Sequence, residues 1–229
     1  MKSLIVVILI LLFSVSSFGQ VKTYEIPMSK IGDTSLWYKW EQEDFRKSGL
    51  PDLKLSKDSL HFRFANEIQS VEIWTNDFKT FNGTFMNHTT SVPCDNCLIK
   101  GKSKFYSKKY SLDAATAKGV YELFSQLSVF NIPTQDSIKG WSSGFDGEEF
   151  FIEYSTPSHY SFKEYWTPNA FKEIIKEAAA IDTLAIQLKT KLEMDLSFST
   201  FIKNLPFGCY HYISYIVTCQ ETRPDFIMW

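Results

Sequence analysis

Residues 144–168 read GFDGEEFFIEYSTPSHYSFKEYWTP, and the way this stretch folds decides the architecture. Aromatic and aliphatic residues crowd both halves, while Thr156-Pro157-Ser158-His159 between them is turn chemistry. The stretch therefore reads as a hairpin of two strands, 149–154 and 160–166. With Pro157 and Ser158 at the centre of the turn, Ser155 faces Tyr160 and Glu153 faces Phe162. Side chains alternate along a strand, so one face carries Glu149, Phe151, Glu153, Phe162, Glu164 and Trp166. The other carries Phe150, Ile152, Tyr154, Lys163 and Tyr165. Neither face is wholly apolar; the rings are expected beneath a helix, with the acids left in water.

That helix follows directly in the chain. Thr167 is a cap, Pro168 suits the first helical position, and Phe171, Ile174, Ile175, Ala178, Ile181, Ala185, Leu188 and Leu192 form a stripe. They predict a long amphipathic helix over 168–193. Asp113 caps a shorter one over 114–128, with Ala117, Val120, Phe124 and Leu127 on one side. Upstream, Leu60, Phe62 and Phe64 alternate with His61 and Arg63 in a period of two. Residues 71–74 and 79–89 read as further strands around an Asn76-Asp77 turn. Residues 21–55 show no regular period. The expected fold is α+β, an antiparallel sheet with the two helices packed on it, in a single domain over 20–229.

The chain opens with Lys2, an apolar run over 4–13 and small residues through Ser17 and Gly19. This is the grammar of a secretory signal peptide over 1–19, cut after Gly19. The apolar run is about half of the ~20 residues a membrane-spanning helix requires, so no stable anchor is expected. The address predicted is periplasmic or secreted. Four cysteines, Cys94, Cys97, Cys209 and Cys219, then point to structural disulfides. If 209–219 were one unbroken strand its two cysteines would lie about 33 Å apart and each would pair elsewhere. A turn at 212–215 would let them pair with each other and leave Cys94 to Cys97. The sharper alternative is a thiol–disulfide protein using Cys94 and Cys97, which requires a helix beginning at Cys94.

The 24 basic and 26 acidic residues nearly cancel. The stretch KGKSKFYSKKY at 100–110 interleaves lysines with rings, but its pattern fits a Lys-protected sheet edge, and no nucleic-acid partner is expected. Asp146, Glu148 and Glu149 lack the ladder of a calcium loop, and His61, His88, His159 and His211 show no paired ligand spacing. Neither a metal nor another cofactor is predicted. One catalytic reading survives: Glu153 and Glu164 sit diagonally across the hairpin, the arrangement of a carboxylate pair in an envelope or extracellular hydrolase.

Trp141, the Gly144-Phe145-Asp146-Gly147 turn, Glu153, Tyr160, Lys163, Tyr165-Trp166 and Pro168 resemble the central block of a family of uncharacterised exported proteins of Gram-negative bacteria of the Bacteroidota kind. The resemblance covers about 30 residues and implies an exported α+β domain; it carries no activity to any residue. With 6 Trp, 11 Tyr and 20 Phe in the chain, some aromatic surface is expected to serve a protein or glycan partner. The binding candidates are Trp141, Asp146, Tyr160 and Trp166, and non-catalytic binding is the leading expectation.

Overall fold

Strand β2 (Leu60–Ala65) runs through the centre of the molecule, and every one of its residues is buried. This computed structural model describes residues 21–28, 32–93, 101–144, 146–213 and 216–220. β2 pairs antiparallel with β3 (Gln69–Thr75), which pairs with β4 (Asn82–Val92), which pairs with β5 (Phe105–Leu112). On its other side β2 meets β6 (Glu149–Ser155), and β7 (His159–Trp166) follows by a hairpin. The short β1 (Thr23–Glu25) adds parallel to β7, and β8 (Cys209–His211) with β9 (Val217–Cys219) prolongs the sheet from the end of β4. Among the described residues β5 pairs only with β4 and keeps Lys108 and Lys109 exposed, which suits a protected edge.

The period of two sets which element covers which face. Phe62, Phe64, Val71, Ile73, Phe85, Phe150, Ile152 and Tyr165 point to one side and are closed over by α2 (Ala114–Gln126) and α3 (Lys176–Lys191). Asp113 caps α2 as its sequence indicates, accepting from the Thr116 N–H at 2.9 Å. The expected 168–193 helix is shorter. Pro168–Ala170 is a single 3₁₀ turn, Ile175 is extended, and α3 starts at Lys176. The break lets Phe171 pack, with its ring tilted, against Trp141 and Trp166 while Ile175 enters the core.

The opposite face holds the main correction. Residues 21–55 are not irregular: α1 (Leu36–Lys47) lies there and packs Tyr38 and Phe45 against Phe151, Tyr160 and Phe162. Glu149, Glu153 and Glu164, expected in water, are 5%, 1% and 5% exposed. The predicted register was right, with Glu153 opposite Phe162 and Ser155 opposite Tyr160. What differs is that both faces of the hairpin are roofed.

Residues 209–219 form a hairpin rather than one strand, with Cys209 opposite Cys219 and a disulfide joining them. Helix α4 (Met194–Lys203) leads into it and packs Phe198, Phe201 and Ile202 against Tyr210. Cys94 and Cys97, and the predicted signal peptide, lie outside the described residues. Among the described residues no helix is long and apolar enough to cross a membrane.

Candidate functional site

The face under α1 is built on ions. Arg63 projects from β2 between two glutamates, donating from Nε at 3.0 Å and Nη2 at 2.6 Å to Glu72 and from Nη1 at 2.5 Å to Glu153. Nη2 also donates to the Pro51 carbonyl at 2.7 Å, and the Phe45 ring covers the guanidinium at 4.1 Å. The second oxygen of Glu153 accepts from the Tyr160 hydroxyl at 2.6 Å and from Gln42 at 3.2 Å. Both oxygens of Glu153 are thus engaged by donors. Burial pushes its carboxyl up, and Arg63, Tyr160 and Gln42 pull it down.

Glu164 has lighter company. Ser35, at the start of α1, gives its hydroxyl to the Glu164 carboxyl at 3.0 and 3.3 Å instead of capping its own helix. Burial lifts Glu164 to about 7. Burial and then the charge of Glu164 lift Glu149 to about 8, and Glu149 Oε2 has no hydrogen-bond partner. The coupled carboxyls under α1 are therefore Glu149 and Glu164, whereas the predicted pair included Glu153, which Arg63 holds.

Beside this packed layer, α1 also borders a cavity of about 260 Å³. Trp37, Trp40, Glu41 and Asp44 line it from the helix, Glu67 and Ile68 from the β2–β3 turn, and His88, Thr89 and Thr90 from β4. Phe105, His211 and Tyr212 complete the wall. Trp37 and Trp40 meet edge to face at 5.4 Å, with Trp40 52% exposed at the mouth. Glu41 is buried, and desolvation followed by the charges of Asp44, Glu67 and Glu149 raises its carboxyl well above the usual range, Arg63 opposing. His88 is 5% exposed and stacks on Phe105; burial holds it down at about 4, so its ring is neutral at ordinary pH. His88 Nε2 and His211 Nδ1 have no hydrogen-bond partner.

The residues singled out in the sequence are placed elsewhere. Trp141 is 9% exposed and donates its indole N–H to the Trp166 carbonyl at 2.9 Å, and Tyr160 is fully buried. Trp166 is half-buried and Asp146 exposed, so the four do not share an open surface. Sequence reading missed Trp37, Trp40, Glu41 and His88. The available signal was the spacing Trp37, Glu41, Asp44 along one helical side, obscured because a charged residue interrupts the apolar stripe of Tyr38 and Phe45. Among the described residues no group of three or more His, Cys, Asp or Glu side chains is arranged to hold a metal. No protein-family model, curated protein or solved structure matches the chain.

Proposed function

We propose that the protein is an exported, non-catalytic binding domain whose ligand enters the cavity beneath Trp37 and Trp40. One observation carries this reading: an open, aromatic-walled hollow that contains a buried, unpartnered imidazole nitrogen on His88. Buried polar atoms are nearly always bonded, and an exception in a concave site marks where a partner atom belongs. The volume is just under the ~300–1,000 Å³ typical of drug-sized ligands, so the guest is a small molecule or the terminal group of a larger glycan or protein. The saturated hydrogen bonding of Glu153 supports a structural role for that residue over its role in a hydrolase pair. Export is supported by the N-terminal signal grammar, by the Cys209–Cys219 disulfide and by the resemblance to exported Bacteroidota proteins.

The test is a thermal-shift screen of the purified protein against a library of small metabolites and short glycans, repeated on Trp40→Ala. Trp40 is exposed, so this variant keeps the fold. The expected result is at least one compound that raises the Tm of the wild type and leaves Trp40→Ala unmoved. Hits that shift both proteins equally, or no hit at all, would count against the cavity.

A further inference from the structure

We propose that the cavity under Trp37 and Trp40 takes a flat, uncharged heteroaromatic molecule of about two fused rings, whose ring N–H and ring nitrogen pair with the imidazoles of His88 and His211. The inference rests on the binding-domain reading and specifies its ligand. The walls come first. Trp37 and Trp40 face the cavity from α1, and His88 and Phe105, stacked at 5.8 Å between centroids, face it from β4 and β5. His211 and Tyr212 add two more rings. Ring walls contributed by both the helix and the sheet suit a planar guest, which can stack on them or meet them edge to face. At about 260 Å³ the space is small for a guest much larger than a bicyclic ring.

Hydrogen-bond valence narrows the guest further. Among the described residues lining the cavity, the buried side-chain nitrogen and oxygen atoms without a partner are His88 Nε2 and His211 Nδ1. The Thr89 hydroxyl donates to the His211 carbonyl at 2.7 Å, so it is already engaged and ties the two histidine segments together. A neutral imidazole carries one N–H donor and one lone-pair acceptor, and the tautomer decides which nitrogen is which. Two such orphaned nitrogens are satisfied together by a guest that holds a donor and an acceptor in one ring. A pyranose would bring a hydroxyl to nearly every ring carbon, more than these two nitrogens can pair, and each one left over costs binding.

The lining selects no charge. Asp44 is paired with Lys47 at 2.8 Å, Glu67 has an interaction of its own, and burial favours the protonated form of Glu41. A cation would therefore find no surplus acid. No Lys or Arg is among the described lining residues, so a phosphate or carboxylate would be desolvated without a counter-charge. An uncharged ring system meets neither obstacle.

The experiment is isothermal titration of the purified protein at pH 8 with four uncharged compounds. They are benzimidazole, indole (which keeps the N–H and lacks the ring nitrogen), 1-methylbenzimidazole (which lacks the N–H) and methyl β-glucoside. It is repeated on Trp40→Ala and His88→Phe, with folding checked by circular dichroism. The expected result is binding of benzimidazole at least about tenfold tighter than of indole or 1-methylbenzimidazole, since each of these leaves one buried imidazole nitrogen unpaired. Trp40→Ala weakens benzimidazole at least about fivefold through lost stacking. His88→Phe weakens it about tenfold and abolishes the difference between benzimidazole and one of the two analogues, a coupling that a merely structural histidine would not show. Equal binding of the three bicyclic compounds, or preferred binding of the glucoside, overturns the heteroaromatic assignment and leaves the binding-domain reading intact. So does a folded His88→Phe that preserves both differences, or an inert benzimidazole when the library screen yields a Trp40-dependent hit of another class. Should His88→Phe fail to fold, the analogue series on the wild type decides. No Trp40-dependent binding of any compound overturns both.

Discussion

Arg63 and Glu153 face each other across β2 and β6 in a fully roofed layer, Nη1 to Oε2 at 2.5 Å, with each side chain 1% exposed. A pair this deep is costly to form and more costly to break, because removing one partner leaves the other charge in a medium that cannot solvate it. Arg63→Met leaves both Glu72 and Glu153 without their main donor and is expected to lower stability by about 3–5 kcal/mol in urea denaturation. Tyr160→Phe removes one of the hydrogen bonds to Glu153 and should cost only about 1–3 kcal/mol. Equal losses in the two variants would show that Arg63 is not the organising charge.

Glu149 and Glu164 make stability fall as pH rises. Each carboxyl titrates higher in the folded chain, at about 8 and about 7, than the ordinary 4.5. Between those limits the folded state holds more protons than the unfolded one, so their contribution is intact below about 4.5 and declines until about 8. Glu149→Gln removes its share. The variant should match the wild type near pH 5 and exceed it by about 3 kcal/mol near pH 8.5, read from urea midpoints at each pH. A difference that does not vary with pH would contradict the burial of Glu149.

The Cys209–Cys219 bridge closes a short hairpin, with a sequence separation of 10. Loop-closure entropy for that length gives about 2–3 kcal/mol. Replacing both cysteines by serine is expected to lower stability by that amount or less, with faster amide exchange confined to β8, β9 and α4. Exchange that quickens throughout the central sheet would show that the hairpin is integral to the core.

Gly147 has φ +153°, and a Cβ there would collide with Thr167 Oγ1 and the Trp166 indole. Its neighbour Gly144 also lies against the Trp166 ring. Gly147→Ala is expected to cost about 2–4 kcal/mol and to shift the Trp166 indole N–H resonance. A variant as stable as the wild type would mean that this turn adapts freely.

Much of the sheet is legible in sequence because periodicity reports which side chains share a face. The β6–β7 register, the β2–β3–β4 meander, the Asp113 cap and the Lys-rich edge follow from residues 60–166 with little tertiary help. Periodicity says nothing about what covers a face. Glu149, Glu153 and Glu164 looked like solvent-facing acids because α1 was hidden, its buried side carrying Glu41 between Tyr38 and Phe45. The same blindness concealed the cavity, whose walls come from α1, β4, β5 and the β8 segment, brought together only by the fold. The choice of cysteine pairing likewise turned on whether 209–219 bends, which composition does not encode.

The most direct test of the α1-roofed cavity as the binding site follows the tryptophan indole and histidine imidazole ¹⁵N resonances while the best ligand is titrated in. The account predicts saturable shifts at Trp37, Trp40 and His88, with Trp141 and Trp166 unmoved. Shifts at Trp141 and Trp166, with Trp37, Trp40 and His88 unchanged, would contradict it and move the site back to the turn before β6.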